Sequence, residues 1–278
     1  MKKLQIHFTP CPNDTFMFFA LVHGVVDVSS LHFAVHMADI EELNRQAIQG
    51  IPDITKISIA VFPAISENYE LLTAGAAMGF ENGPLIVSRK KVYPDELHDA
   101  VIAIPGENTT ANLLLSILFP DARRKKIFLF SDIEEAVLEG EADAGLLIHE
   151  TRFTYEAKGL KLVCDLGKEW VNRKGVPVPL GGIAIKRSLD AGIRQKFNRL
   201  LEESVKTAMK YPREPLDYMK KHAQELNEDV IYRHVYLYVN SFSISLGEEG
   251  KKAIETLLEE GFRAGLLSEA KKPLFLDA

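Results

Sequence analysis

Asp39-Ile40-Glu41-Glu42-Leu43 recurs as Asp132-Ile133-Glu134-Glu135-Ala136. Each copy is followed by a glycine (Gly50, Gly140), an aspartate three residues later (Asp53, Asp143) and an apolar run. Upstream of each copy a polar turn opens an apolar helical stretch, Asn13-Asp14-Thr15 before the first and Asn108-Thr109-Thr110 before the second. Acidic residues start many helices, where they complement the helix dipole. The matched order of turn, apolar helix, acidic helix and strand goes further than that preference. Two like units imply two α/β lobes facing one another across a crevice, which points to a cleft enzyme acting on a small anion.

On either side of the repeat the same cycle can be followed through the chain. Leu4–Phe8 has the composition of a buried strand, residues 9–14 that of a proline-rich loop, and residues 15–22 that of an apolar helix capped by Asn13 or Asp14. A strand at 31–36, an amphipathic helix at 40–49 stopped by Gly50 and Pro52, a strand at 54–59 and a helix at 61–68 complete the first cycle. The second cycle has a strand at 101–104, a turn at 105–108, a helix at 111–119, a strand at 127–130, a helix at 133–139 and a strand at 144–148. Strands separated by helices predict parallel sheets with right-handed crossovers.

Gly83-Pro84-Leu85-Ile86-Val87-Ser88-Arg89 and Gly181-Gly182-Ile183-Ala184-Ile185-Lys186-Arg187 are glycine-led apolar strands ending in basic residues. They read as two strands that carry the chain between the lobes. The expected division is a discontinuous lobe I of residues 1–86 and 184–278, and a lobe II of residues 87–183. Helices at 189–211, 215–224, 228–239 and 248–265, with caps such as Ser188 and Asn227, would return to lobe I. Two crossing strands form a hinge that permits closure around a ligand.

Composition narrows the class. A chain of 278 residues, 46% hydrophobic, can bury a large core. The net charge is -6, and the longest basic run is Arg123-Arg124-Lys125-Lys126, so the footprint of a nucleic-acid binder is missing. The segment Met1-Lys2-Lys3-Leu4-Gln5-Ile6-His7-Phe8 reaches polar residues and prolines before a signal-peptide core could form. No apolar stretch approaches the ~20 residues of a membrane span. A cytoplasmic protein with no membrane partner is expected. Cys11 and Cys164 lack the spacing of a zinc site, so no metal is indicated.

In open parallel sheets ligands gather beyond the carboxyl ends of the strands. The residues just past those ends are Thr9, Asn13, Asp14, Lys56 and Ser58 in the first unit, and Thr109, Thr110 and His149 in the second. Pro105-Gly106-Glu107-Asn108-Thr109-Thr110 joins a strand to a helix, and its hydroxyls and backbone N–H groups suit a carboxylate as well as they suit ordinary capping. Neither GxxxxGK[ST] nor GxGxxG occurs, so it is not a nucleotide phosphate loop. Cys11 has no adjacent base or cation to activate it and is expected to pack. In 54–59, alternation puts Lys56 on the side of Ser58, either facing a cleft or as a solvent-turned edge lysine. His149 ends the apolar run Gly145-Leu146-Leu147-Ile148, with Glu150 beside it to orient the ring. Its imidazole titrates near neutral pH, which suits a general base. The remaining histidines, His234 among them, read as structural.

Thr9-Pro10-Cys11-Pro12-Asn13-Asp14-Thr15-Phe16, Asp53-Ile54-Thr55-Lys56-Ile57-Ser58, Pro105-Gly106-Glu107-Asn108-Thr109-Thr110-Ala111 and Gly145-Leu146-Leu147-Ile148-His149-Glu150 together resemble the 1,4-dihydroxy-6-naphthoate synthases of the futalosine route to menaquinone. The resemblance spans nearly the whole chain, with Thr9 where that family usually begins its first motif with Ser. It implies a two-lobed fold similar to type 2 periplasmic binding proteins. It also implies a lyase that fragments cyclic dehypoxanthinyl futalosine without a redox cofactor. His149 matches the family's catalytic base, and Lys56, Ile57, Ser58, Thr109 and Thr110 match its substrate-contacting segments. A chorismate dehydratase of the same pathway would lack the histidine after the Leu-Leu-Ile strand. A non-catalytic anion-binding protein of this fold would normally carry an export signal. The identity of the group that protonates the departing fragment and the oligomeric state stay open at this level.

Overall fold

The computed structural model describes residues 3–28, 31–223 and 226–276, apart from the Glu150 side chain. The chain opens with β1 (Leu4–Phe8), α1 (Pro12–Val22), β2 (Phe33–Met37), α2 (Ile40–Ile48) and β3 (Ile54–Ser58). A 3-10 turn at Ile59–Val61 leads into α3 (Phe62–Ile65), β4 (Tyr69–Leu71) and β5 (Ala77–Gly79). The middle of the chain forms β6 (Leu85–Ser88), β7 (Ile102–Ile104), α4 (Thr110–Leu118), β8 (Lys125–Ile127), α5 (Ile133–Leu138) and β9 (Ala144–Leu147). It continues through β10 (Lys161–Asp165) and α6 (Leu166–Lys174) to β11 (Val178–Lys186). Helices α7 (Ala191–Lys210), α8 (Leu216–His222), α9 (Glu228–Tyr238), α10 (Ser241–Ile244) and α11 (Gly247–Arg263) follow.

Two sheets result, with orders β2-β1-β3-β11-β4, where β5 also pairs with β11, and β10-β6-β9-β7-β8. In the first, β1 lies parallel between β2 and β3, and β11 runs antiparallel beside β3. In the second, β7 lies parallel between β8 and β9, and β6 runs antiparallel beside β9. The duplicated sequence is therefore a duplicated topology. The outgoing β5 and the returning β11 lie side by side, Gly79 against Val178 and Met78 against Pro179. Strand β6 makes its ladder pairs inside the second sheet, so the outgoing crossing comes earlier than 83–89. Positions 86 and 184 fall inside β6 and β11.

Other differences from the sequence expectation have local causes. Helix α1 starts at Pro12 rather than Thr15, with Cys11 at the N-cap. Proline needs no N–H partner at a helix's first turn and comes with φ preset, so the helix begins there and takes Asn13 and Asp14 into its first turn. Asp39 caps α2, accepting from the N–H groups of Glu41 and Glu42, but Asp132 makes no such bond at α5. Strand β8 ends at Ile127, and Phe130–Asp132 is a 3-10 turn. The cap of α7 is Asp190, not Ser188, and Gln224, the expected end of α8, lies outside the described residues. The expected helix at 61–68 is only the short α3. The pair β10–α6 was not anticipated.

Cores under both sheets are apolar and fully buried, for example Ile6, Phe8, Phe16 and Phe197 in one and Ile102, Leu146 and Trp170 in the other. Each such side chain contributes about 1.5–3 kcal/mol of transfer free energy. Among the described residues no helix is long and apolar enough to cross a membrane. Past the crossing, a Cβ on Gly83 would lie 2.1 Å from the Gly167 Cα, so the loop before β6 and the start of α6 touch backbone to backbone. Gly83→Ala is expected to destabilise the protein by about 1–3 kcal/mol, seen as a lower Tm in thermal unfolding.

Candidate functional site

A cavity between the two sheets opens at the carboxyl ends of β1, β3, β7 and β9, and encloses about 600 Å³ of empty space, open solvent included. Thr9, Asn13, Asp14, Lys56, Ile57, Ser58, Thr109, Thr110 and His149, the nine residues expected to bind or act on a ligand, all line it. Ile40, Ala77, Pro84, Leu180 and Tyr238 add apolar surface.

The charged centre is a pair. Lys56 Nζ lies 2.9 Å from Asp14 Oδ1, and the two side chains are 6% and 0% exposed. Lys56 belongs to a strand flanked on both sides, by β1 and β11, and so is not an edge lysine. Asp14 Oδ2 accepts from Thr9 N (3.1 Å) and Thr9 Oγ1 (2.7 Å), and Oδ1 from Asn13 Nδ2 (2.9 Å). The Lys56 ammonium is near enough for ion pairing but off hydrogen-bonding angle, so its N–H donors remain unsatisfied by protein. A buried cation with donors to spare is a receptor for an anion. Beside it, Asn44 Nδ2 donates to Ser58 Oγ (3.0 Å) and Ser58 N donates to Asn44 Oδ1 (2.9 Å). That occupies acceptor capacity and leaves the serine hydroxyl proton for a ligand.

The opposite wall is the start of α4. Thr109 Oγ1 accepts from Asn112 N (3.2 Å) and donates to Gly106 O (2.9 Å), so this hydroxyl is engaged as a helix cap. Thr110 Oγ1 accepts from Ala60 N (3.2 Å), a bond between the two halves. Glu41 strengthens that junction by accepting from Asn108 N (3.1 Å) and Asn108 Nδ2 (2.7 Å), while Asn44 Nδ2 reaches Asn108 O (3.2 Å). Burial raises the Glu41 carboxyl above its ordinary value, and the Asn108 bonds oppose that shift. Gly106 has φ +154°, and a Cβ there would lie 2.4 Å from Glu41 Oε2, so glycine admits this contact. Glu41 and Asn44 were missed in the sequence, although they interrupt the apolar face of α2.

His149 lies two residues past the end of β9, at the start of a 3-10 turn, with a left-handed φ of +59°. Phe130 meets its ring edge-on at 4.8 Å between centroids, and His234 stacks on it at 6.0 Å and 13°. Burial pushes the imidazole from 6.5 down to about 4, with Asp14 opposing and Lys56 adding to the shift. Near neutral pH the ring is therefore an unprotonated base. The orienting role expected for the Glu150 side chain lies outside the described residues.

Residues 4–263 match the family described as menaquinone biosynthesis. The chain belongs to that family. Relatives in it include the 1,4-dihydroxy-6-naphthoate synthase of Thermus thermophilus, 42% identical over 99% of this chain and 100% of that protein. The enzyme of the same name from Streptomyces coelicolor is 39% identical over 95% and 94%. A crystal structure of an Archaeoglobus fulgidus protein superposes with a TM-score of 0.91 at 36% identity, covering 95% of this chain and 98% of that one. The alkanesulfonate-binding protein of Xanthomonas axonopodis pv. citri gives a TM-score of 0.74 at 14% identity over 99% and 98%. At that identity the likeness concerns fold alone, and this family member has the two-lobed α/β fold of periplasmic binding proteins.

Breaking a buried ion pair by removing one partner costs about 3–5 kcal/mol. Lys56→Met should therefore lower the denaturant midpoint markedly. Adding Asp14→Asn should cost less than the sum of the two single losses, because the second change removes the stranded charge.

Proposed function

We propose that this chain is a cytoplasmic carbon–carbon lyase that converts cyclic dehypoxanthinyl futalosine to 1,4-dihydroxy-6-naphthoate, with His149 as general base. The observation that carries the reading is a buried imidazole, its proton affinity lowered by that burial, on the wall of a cavity whose other side holds a buried ammonium with unsatisfied donors. Two full-length relatives that bear the synthase name support it.

In this reading the substrate's carboxylate takes the donors of Lys56, Ser58 and the first turn of α4, and its ring system lies on the apolar surface. His149 removes a proton beside a carbonyl, the strained ring opens, and aromatisation of the product makes the step downhill. Asp14 anchors Lys56: its oxygens already face Thr9, Asn13 and Lys56, which leaves it poorly placed to deliver a proton to the departing fragment.

Purified protein given the cyclic futalosine should release fluorescent naphthoate. His149→Ala, and His149→Asn, which accepts the left-handed backbone more readily, should each lose at least ~100-fold in kcat. Unchanged turnover in either would reject the assignment. The pH profile adds a signed test. Because the imidazole of the free protein is lowered to about 4, kcat/KM should hold through the weakly acidic range and fall only as pH approaches that value. A bound anion favours the imidazolium, so the acid limb of kcat should lie at higher pH than that of kcat/KM.

A further inference from the structure

We propose that His234, which lies behind the cavity wall, is a positioning residue for His149: its ring shuts water from the protein side of that imidazole and fixes its plane. The proposal rests on the reading of His149 as the base.

His234 is carried by α9, whose Ile231, His234, Val235 and Tyr238 all turn inward. It is 0% exposed. A histidine on an otherwise apolar helical face must satisfy its polar atoms inside the protein. Its Nε2 lies 2.8 Å from Asn13 Oδ1. The Asn13 amide is oriented by the bond from its Nδ2 to Asp14 Oδ1 (2.9 Å). An amide oxygen only accepts, so the proton of this bond sits on His234 Nε2. The ring is thereby tied through Asn13 and Asp14 to Lys56.

From that anchored position His234 lies nearly parallel to His149, 13° between planes and 6.0 Å between centroids, while the Tyr238 ring packs on His234 itself at 4.8 Å, tilted by 50°. This separation is within the range of productive aromatic pairs. The charged groups acting on the pair are Asp14 from α1 and Lys56 from β3 on His149, and Lys56 and Arg152, the latter from the turn that carries His149, on His234. Burial first, then the neighbouring His149, Arg152 and Lys56, hold His234 neutral, well below the ordinary histidine value. A neutral flat ring displaces water without adding charge.

The test is a pH titration of histidine-labelled protein by NMR, with His149 assigned by His149→Asn. In the unmodified protein the His234 ring resonances should move with the midpoint of His149, because the two rings are in contact. In His234→Gln and His234→Asn, which remove the ring, the His149 midpoint should rise by about one unit toward 6.5. In the same variants kcat should fall about tenfold with KM changing less than about threefold. His234→Phe, which keeps the stack, should hold the His149 midpoint near that of the native protein. The proposal is overturned if His234 resonances ignore the His149 titration, or if a ring-less variant that melts like the native protein leaves the midpoint unmoved. It is overturned equally if His234→Phe shifts it as far as His234→Gln does. Full turnover by His149→Asn would remove the catalytic reading, and the midpoints would still decide whether His234 controls the ring.

Discussion

The ammonium of Lys56 and the carboxylate of Asp14 meet inside the protein, and the surrounding architecture answers the cost of putting them there. Each charge loses several kcal/mol of hydration on burial, and the loss is tolerable only if the partners stay in place and their remaining atoms find donors or acceptors. Asp14 meets that demand with Thr9 and Asn13, which requires the loop after β1 to turn tightly and α1 to begin at Pro12. Lys56 meets it only in part. Burial first, with the field of this cation adding to it, lowers the proton affinity of the neighbouring imidazole.

The second constraint is the duplicated sheet. In each half a parallel trio of strands is closed by one antiparallel strand, β11 in one and β6 in the other. The ends of corresponding strands therefore face each other. Ser58 ends β3 and His149 follows the matching β9, so hydroxyl and imidazole approach one cavity from opposite sides. Glu41, Asn44 and Thr110 bond across the gap and hold the two halves together on one flank.

Much of this could be read before any coordinates. The repeated acidic motif marked equivalent helices, even though only Asp39 and not Asp132 caps its helix through the side chain. The rule that ligands gather past strand ends placed Thr9, Asn13, Asp14, Lys56 and Ser58 on a common wall because local geometry decides which way those loops point. What escaped was set by distance along the chain or by weak pattern. Strand β10 has mostly exposed or half-exposed side chains and no clean alternation. Asn13 and His234 are 221 residues apart, and no local periodicity reports such a pairing. Glu41 and Asn44 left a trace as polar breaks in an inward helical face, but their partner, Asn108, belongs to the other half.

The left-handed backbone at His149 narrows the amino acids that position can hold. Valine, isoleucine and threonine would bring a branched Cβ against the carbonyl in that conformation, whereas glycine, asparagine, aspartate and histidine sit there with less strain. Of those four, histidine alone supplies an uncharged nitrogen base. Substitutions at this corner of the molecule are thus filtered first by conformation and only then by reactivity, so a search for altered chemistry here starts from a very short alphabet.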